Sequence, residues 1–146
     1  MKILLICTGN TCRSPMAEAL LNYDAPQAEV KSAGIFAADG APANPQTQKV
    51  LEEIDVPLTH TAQQVTTELL EWADIVLTMT MSHKSMLARQ FPGFQHKIIP
   101  LIQYAEEGKD AGEIDIQDPF GQSTDVYRKT RDELTNYIKK IKKKIE

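Results

Sequence analysis

Three residues of this chain are of a type and spacing to do chemistry together: Cys7, Arg13 and, far downstream, Asp118. The first two share one string, Cys7-Thr8-Gly9-Asn10-Thr11-Cys12-Arg13-Ser14-Pro15. A cysteine thiolate is a nucleophile that can take over a group and form a covalent intermediate. Five residues stand between Cys7 and Arg13, enough for the loop to curl back and set the guanidinium beside the oxygens of a group under attack. Arginine suits that place better than lysine, because its planar fork donates two hydrogen bonds to a phosphate and keeps its charge at any working pH. Gly9 is expected to supply a backbone conformation that a side chain would forbid. Asn10 tolerates left-handed geometry and can tie the loop internally, and Ser14 can send a hydroxyl toward the Cys7 sulfur.

These residues need a mount, and the flanking sequence provides one. Lys2-Ile3-Leu4-Leu5-Ile6 is a short apolar run of the kind a buried parallel strand needs. Ser14-Pro15 opens an amphipathic stretch, with Pro15 suited to a first helical turn where its missing N–H is not required. A strand feeding a tight loop at a helix N-terminus gathers unpaired N–H groups and the positive end of the helix dipole around one small volume. That volume suits a phosphate dianion, and the same groups favour thiolate over thiol at Cys7.

Composition narrows the classes. The 146 residues, 42% hydrophobic, fit one compact domain with its own core, and no second domain is called for. Sixteen basic against 20 acidic residues give a net charge of −4, which argues against a broad nucleic-acid surface. The one basic run, Lys139 to Lys144, reads as a solvated helix face near a negative dipole end. No stretch reads as a signal peptide or a membrane span, so the expected location is cytoplasmic, and a monomer is expected. The two cysteines, Cys7 and Cys12, make neither a disulfide framework nor a zinc site, and their closeness suggests redox chemistry instead.

Along the chain, helical spacing of Met16, Ala19, Leu20 and Tyr23 predicts a helix from Pro15 to about Tyr23. Glu29 to Ala33 reads as a second strand closed by Gly34, and Ile35 to Asn44 as a loop. Pro45 to Ile54 is expected to be a helix with Val50, Leu51 and Ile54 on one face. Thr66 to Trp72 is predicted helical, Asp74 to Met79 a third strand, Met81 to Phe91 a helix and Lys97 to Leu101 a fourth strand. Met86, Leu87 and Phe91 are core candidates, and Met79 and Met81 read as packing residues. Pro100 places the end of the fourth strand, or a sheet edge, at that point. Gln103 to Gln122 lacks an apolar period and is expected to be a long exposed connection carrying Asp118-Pro119-Phe120-Gly121. A last helix from about Thr124 carries a stripe of Val126, Thr130, Leu134, Ile138, Ile141 and Ile145. The alternation implies one α/β domain over residues 1–146, a four-stranded parallel sheet with helices on both faces, and a ligand site at the strands' carboxyl ends, where Cys7 falls.

The full string Cys-x-Gly-Asn-x-Cys-Arg-Ser-Pro, after a strand and before a helix, closely resembles the active-site loop of the low-molecular-weight protein tyrosine phosphatase family. The resemblance extends to the length, the order of elements and the late Asp-Pro. It implies attack by Cys7 on phosphorus, a phosphocysteine intermediate, and Asp118 as the acid that protonates the leaving group and then activates water. Read alone, Asp118-Pro119 is a turn starter rather than an acid, and Asp110 and Asp115 are weaker candidates. The resemblance assigns phosphate binding to Thr8, Gly9, Asn10, Thr11, Cys12, Arg13 and Ser14. It also gives bracing roles to Ser32 and His60, and a pocket wall to the 35–44 loop. No metal or cofactor is called for, because Arg13 and the loop amides carry the charge stabilisation. The implied partners are phosphorylated proteins.

Within the family, Thr11 and Phe120 stand where tyrosine phosphatases commonly carry an aliphatic residue and a tyrosine, and the combination resembles the bacterial protein arginine phosphatase branch. A hydroxyl at the loop rim suits a polar guanidinium, where a larger aliphatic side chain would crowd it. The alternative is a tyrosine phosphatase in which Thr11 only fills space. Thioredoxin-coupled arsenate reductase shares the loop but needs further downstream cysteines, and none follows Cys12. A non-catalytic phosphate-binding module would need neither nucleophile nor acid, and no nucleotide-binding Gly-x4-Gly-Lys-Ser/Thr pattern occurs.

Overall fold

A computed structural model describes residues 1–106 and 114–146. The strands are β1 (Lys2–Cys7), β2 (Glu29–Gly34), β3 (Ile75–Thr78) and β4 (Ile98–Pro100). The helices are α1 (Arg13–Asp24), α2 (Pro45–Glu52), α3 (Thr67–Trp72), α4 (Met81–Gln90), α5 (Leu101–Glu106) and α6 (Thr124–Ile145), with a 3-10 turn over Pro92–Lys97. All strand pairs are parallel, in the order β2-β1-β3-β4. The chain goes from β1 to one side for β2 and then crosses to the other side for β3, so the order reverses at β1. That reversal opens a crevice at the carboxyl end of β1, the place where such sheets bind ligands.

β1 is the centre of the molecule because both of its faces are covered. Ile3, Leu5 and Cys7 point into one core with Met16, Leu20 and Leu21 of α1, Val50 and Leu51 of α2, Leu101 and Ile102 of α5, and Leu134 and Ile138 of α6. Leu4 and Ile6 point the other way, against Leu70 of α3, Val76 of β3 and Leu87 of α4. A strand with period-two side chains buried on both sides must be apolar throughout, which accounts for the Ile-Leu-Leu-Ile run. Pro100 is the last residue of β4, itself an edge strand, so its missing N–H leaves no central ladder bond unmade.

Four expectations change. Tyr23 is 60% exposed and Leu21 is fully buried in its place, because α1 lies between the sheet and α6 and buries more than one stripe. Ile54 lies beyond the end of α2 and is exposed, so the buried face there is Thr47, Val50 and Leu51. The expected connection from Gln103 begins instead as α5, whose Leu101, Ile102 and Ala105 are buried in the core that α6 covers. Met81 is exposed, whereas Met79 packs fully.

The stripe on α6 includes two residues that an apolar count overlooks. Tyr127 is almost fully buried, and Arg131 reaches back to α2, its Nη1 donating to the Val50 carbonyl at 2.8 Å and to Glu53 at 3.0 Å. Arg128 adds a fork on the Glu53 carboxylate, which brings that carboxyl down to about 2. No helix among the described residues is long and apolar enough to cross a membrane.

Candidate active site

The loop between β1 and α1 is held in shape by one residue more than any other. Asn10 is fully buried and takes φ +57°, the left-handed geometry its type tolerates. Gly9 does not adopt positive φ, and a Cβ there would meet only an ordinary contact at 3.7 Å. The conformational burden expected of the glycine thus falls on the asparagine. The glycine that the loop does require is Gly34, at the end of β2, where a Cβ would come within 2.4 Å of the Thr8 carbonyl oxygen. The strand beside the loop must be bare for the two backbones to approach.

From Asn10 the hydrogen bonds have a direction. Its Nδ2 donates to Ser14 Oγ at 2.8 Å and to Ser32 Oγ at 2.9 Å, and the Ser32 hydroxyl in turn donates to the Glu18 carboxylate. Ser14 Oγ, having accepted from Asn10, is left with its hydroxyl proton, and Cys7 Sγ lies 2.9 Å away. The proton on Ser14 is therefore aimed at sulfur, where it meets negative charge on a free or departing thiolate. Behind the loop, His60 Nε2 donates to the Asn10 carbonyl at 2.7 Å, and its Nδ1 sits 3.7 Å from Glu18. Gln63 completes the brace through its backbone N–H on Asn10 Oδ1. Ser32 and His60 stand where the sequence puts a brace. Glu18 and Gln63 are additions, although Glu18, four residues past Ser14, was within reach of a helical-spacing argument.

A pocket of about 220 Å³ opens above the loop, lined by Cys7, Thr8, Gly9, Thr11, Cys12, Arg13, Asp118 and Phe120. Cys7 is buried at its base and Phe120 is 68% exposed at its mouth. Nearly all the expected site residues therefore meet in one place, although Asp118 and Cys7 are more than a hundred residues apart. Asn10 and Ser14 support the pocket from behind. Among the described residues that line it, none belongs to the 35–44 loop. That loop is a buttress, with Ile35 and Phe36 donating their N–H groups to the Cys7 and Thr8 carbonyls and Asn44 donating to that of Thr11.

Arg13 is 5% exposed and does two things at once. Its Nη1 donates to the Ile116 carbonyl at 2.9 Å, which pins the extended approach to Asp118, and its Nη2 lies 3.6 Å from Asp118 Oδ2. Asp118 uses its other oxygen, Oδ1, to accept the Phe120 N–H at 3.1 Å. One carboxylate oxygen thus closes the turn and the other faces Arg13. Asp115 is an anchor, accepting the Met81 N–H at the start of α4 at 2.8 Å. Asp110 lies outside the described residues.

Two further side chains touch the loop with no signal in the local sequence. His83, on α4, lies 2.8 Å from Thr8 Oγ1, and burial with the nearby Arg13 charge brings its imidazole down to about 4. Tyr127 Oη lies 3.4 Å from Cys12 Sγ. Burial pushes both that thiol and that phenol up. Among the described residues, no group of three or more His, Cys, Asp or Glu side chains could hold a metal ion.

Comparison with known proteins agrees with this geometry over the whole chain. A protein-arginine-phosphatase of Geobacillus stearothermophilus is 45% identical, over 99% of this chain and 96% of its own length. The low molecular weight protein-tyrosine-phosphatase PtpB of Staphylococcus aureus is 39% identical over 97% of both chains. Among solved structures, a cysteine-to-serine mutant of YwlE arginine phosphatase, with phosphorylated active site serine, superposes with a TM-score of 0.93 at 41% identity, covering 99% of this chain and 95% of that one. The family model described as low molecular weight phosphotyrosine protein phosphatase matches residues 2–146, from the first residue of β1 to one residue past α6. A family match over that span, with relatives 39–45% identical along nearly the whole chain, makes this chain a member of the low molecular weight phosphotyrosine protein phosphatase family.

Proposed function

We propose that this chain hydrolyses phosphoarginine on proteins through a phosphocysteine on Cys7. The observation that supports the substrate is the pocket lining, which includes the hydroxyl-bearing Thr11 and the aromatic Phe120. A guanidinium is planar, polar and rich in N–H donors, so a hydroxyl acceptor at the rim suits it where an aliphatic side chain does not. The relatives support the reading, since one named a protein-arginine-phosphatase is 45% identical over nearly the entire chain.

In the first step the Cys7 thiolate attacks phosphorus and the P–N bond breaks, while Asp118 gives its proton to the departing nitrogen and arginine leaves as its ordinary guanidinium. The loop amides and the Arg13 fork hold the equatorial oxygens as charge shifts among them. In the second step water attacks phosphorus, the Asp118 carboxylate takes the water's proton, and the P–S bond breaks to return the thiolate and free phosphate. The Ser14 hydroxyl aimed at sulfur stabilises that leaving thiolate. The solved relative whose active-site serine is phosphorylated supports a covalent phosphoryl group at this position.

The test compares kcat/KM on matched phosphoarginine and phosphotyrosine peptides for wild type and Thr11→Ile. Wild type should prefer phosphoarginine, and Thr11→Ile should shift toward phosphotyrosine by about tenfold or more, the scale of one lost hydrogen bond to a charged group. A wild-type preference for phosphotyrosine would make this a tyrosine phosphatase.

The second thiol of the pocket supports a redox brake. Peroxide would oxidise the Cys7 thiolate to sulfenic acid, and the Cys12 thiol would displace water from it to form a disulfide. Burial keeps Cys12 a thiol, outweighing the Tyr127 hydrogen bond that favours its thiolate, so closure should be slow at neutral pH and faster as pH rises. Peroxide-treated enzyme is expected to lose activity and regain it with dithiothreitol. Mass spectrometry finding Cys7 overoxidised and Cys12 free would count against the brake.

A further inference from the structure

We propose that Thr8 is a second substrate-reading residue at the pocket mouth, and that His83 is the positioning residue that sets its hydroxyl. This rests on the phosphoarginine reading and extends it: the family loop marks Thr8 for phosphate binding alone, and no local sequence signal marks His83. Thr8 is exposed and lines the pocket, so its hydroxyl is available to substrate. His83 is 5% exposed, and its Nε2 lies 2.8 Å from Thr8 Oγ1.

The mount of the imidazole is rigid. The His83 backbone N–H is capped by Thr80 Oγ1 at 3.0 Å, and the preceding turn is tied through Met81 N–H to Asp115. The Ile116 N–H donates to the Met79 carbonyl at 2.8 Å, while the Ile116 carbonyl accepts from Arg13. The start of α4, the approach to Asp118 and the phosphate-facing arginine therefore form one connected unit, and His83 projects from it onto Thr8.

The tautomer follows from what surrounds the ring. His83 Nδ1 is buried with no hydrogen-bond partner among the described residues. A proton there would be an orphaned buried donor, which costs more than an unused acceptor lone pair. The proton of the neutral ring therefore sits on Nε2 and is donated to Thr8 Oγ1. Thr8 is left with one lone pair and its own hydroxyl proton, both away from the imidazole. A phosphoarginine can use both, its phosphoryl oxygens accepting the proton and its guanidinium N–H groups donating to the lone pair. A phosphotyrosine offers oxygens but no N–H beside the phosphorus.

The test measures kcat/KM on matched phosphoarginine and phosphotyrosine peptides for wild type, Thr8→Val, Thr8→Ser, His83→Leu, His83→Gln and the Thr8→Val/His83→Leu double variant. The ratio of phosphoarginine to phosphotyrosine kcat/KM should fall about tenfold in Thr8→Val and in His83→Leu. The double variant should fall no further than either single one, since both remove the same contact. Thr8→Ser, which keeps the hydroxyl, and His83→Gln, whose amide can still donate, should retain most of the ratio. An unchanged ratio in Thr8→Val, or equal losses on both substrates, with wild type still preferring phosphoarginine, overturns this inference alone. A wild-type preference for phosphotyrosine overturns the underlying reading and this one with it. Thr8 is an exposed loop residue, so its variants decide the question even if His83→Leu fails to fold.

Discussion

Cys7→Ser is expected to release no phosphate above background, a loss of at least about 10⁴-fold, while its circular dichroism and melting temperature stay close to wild type. A serine hydroxyl is a far weaker nucleophile than a cysteine thiolate, and Ser14 offers it a hydrogen bond in place of a base. The exchange is nearly isosteric at a site 3% exposed, so the core around Leu5 and Met16 has no reason to repack. Arg13→Lys should come close to the same loss, because lysine cannot hold both the Ile116 carbonyl and a second acceptor through one planar fork. Phosphate release by Cys7→Ser at a substantial fraction of the wild-type rate would remove covalent catalysis from the mechanism.

Asp118→Asn should separate substrates by their leaving groups. An activated aryl phosphate departs as a stable anion and needs no proton, so its first step should slow by less than about tenfold. Arginine departs as a strongly basic nitrogen and cannot leave without a proton, so phosphoarginine turnover should fall by about 10²–10⁴-fold, the usual contribution of a positioned acid. The substituted amide would still accept the Phe120 N–H through its carbonyl oxygen, so the turn should survive and the loss can be read as chemistry. Comparing kcat/KM for the two substrate types checks this, because the second step is common to both. Equal losses would reassign Asp118 to holding Arg13 and the loop.

The parts of this molecule that could be read before folding are those in which cause and effect are neighbours in sequence. β1, the loop and the start of α1 are consecutive, so nucleophile, arginine and helix N-terminus follow from one string. The doubly covered β1 follows from four successive apolar residues. What could not be read depends on partners far away. His83 and Thr8 are 75 positions apart and meet only because β3 lies beside β1 and α4 springs from its carboxyl end. Tyr127 reaches Cys12 only because α6 packs on α1. Arg131 breaks the apolar stripe of α6, yet is buried because Glu53 and the Val50 carbonyl await it. α5 was hidden for a different reason: six residues with three core positions give too little periodicity to show, and only the α6 face makes them a helix.

The proposed reaction requires that a phosphoryl group pass from arginine to Cys7. A rapid-quench, single-turnover reaction of wild-type enzyme with an equimolar mixture of matched phosphoarginine and phosphotyrosine peptides, read by mass spectrometry, observes both ends of that transfer. The expected result is a transient phosphate on Cys7 that rises as the phosphoarginine peptide is consumed, with the phosphotyrosine peptide largely intact. A phosphate found on any other residue, or a Cys7 phosphate that tracks loss of the phosphotyrosine peptide, would contradict it.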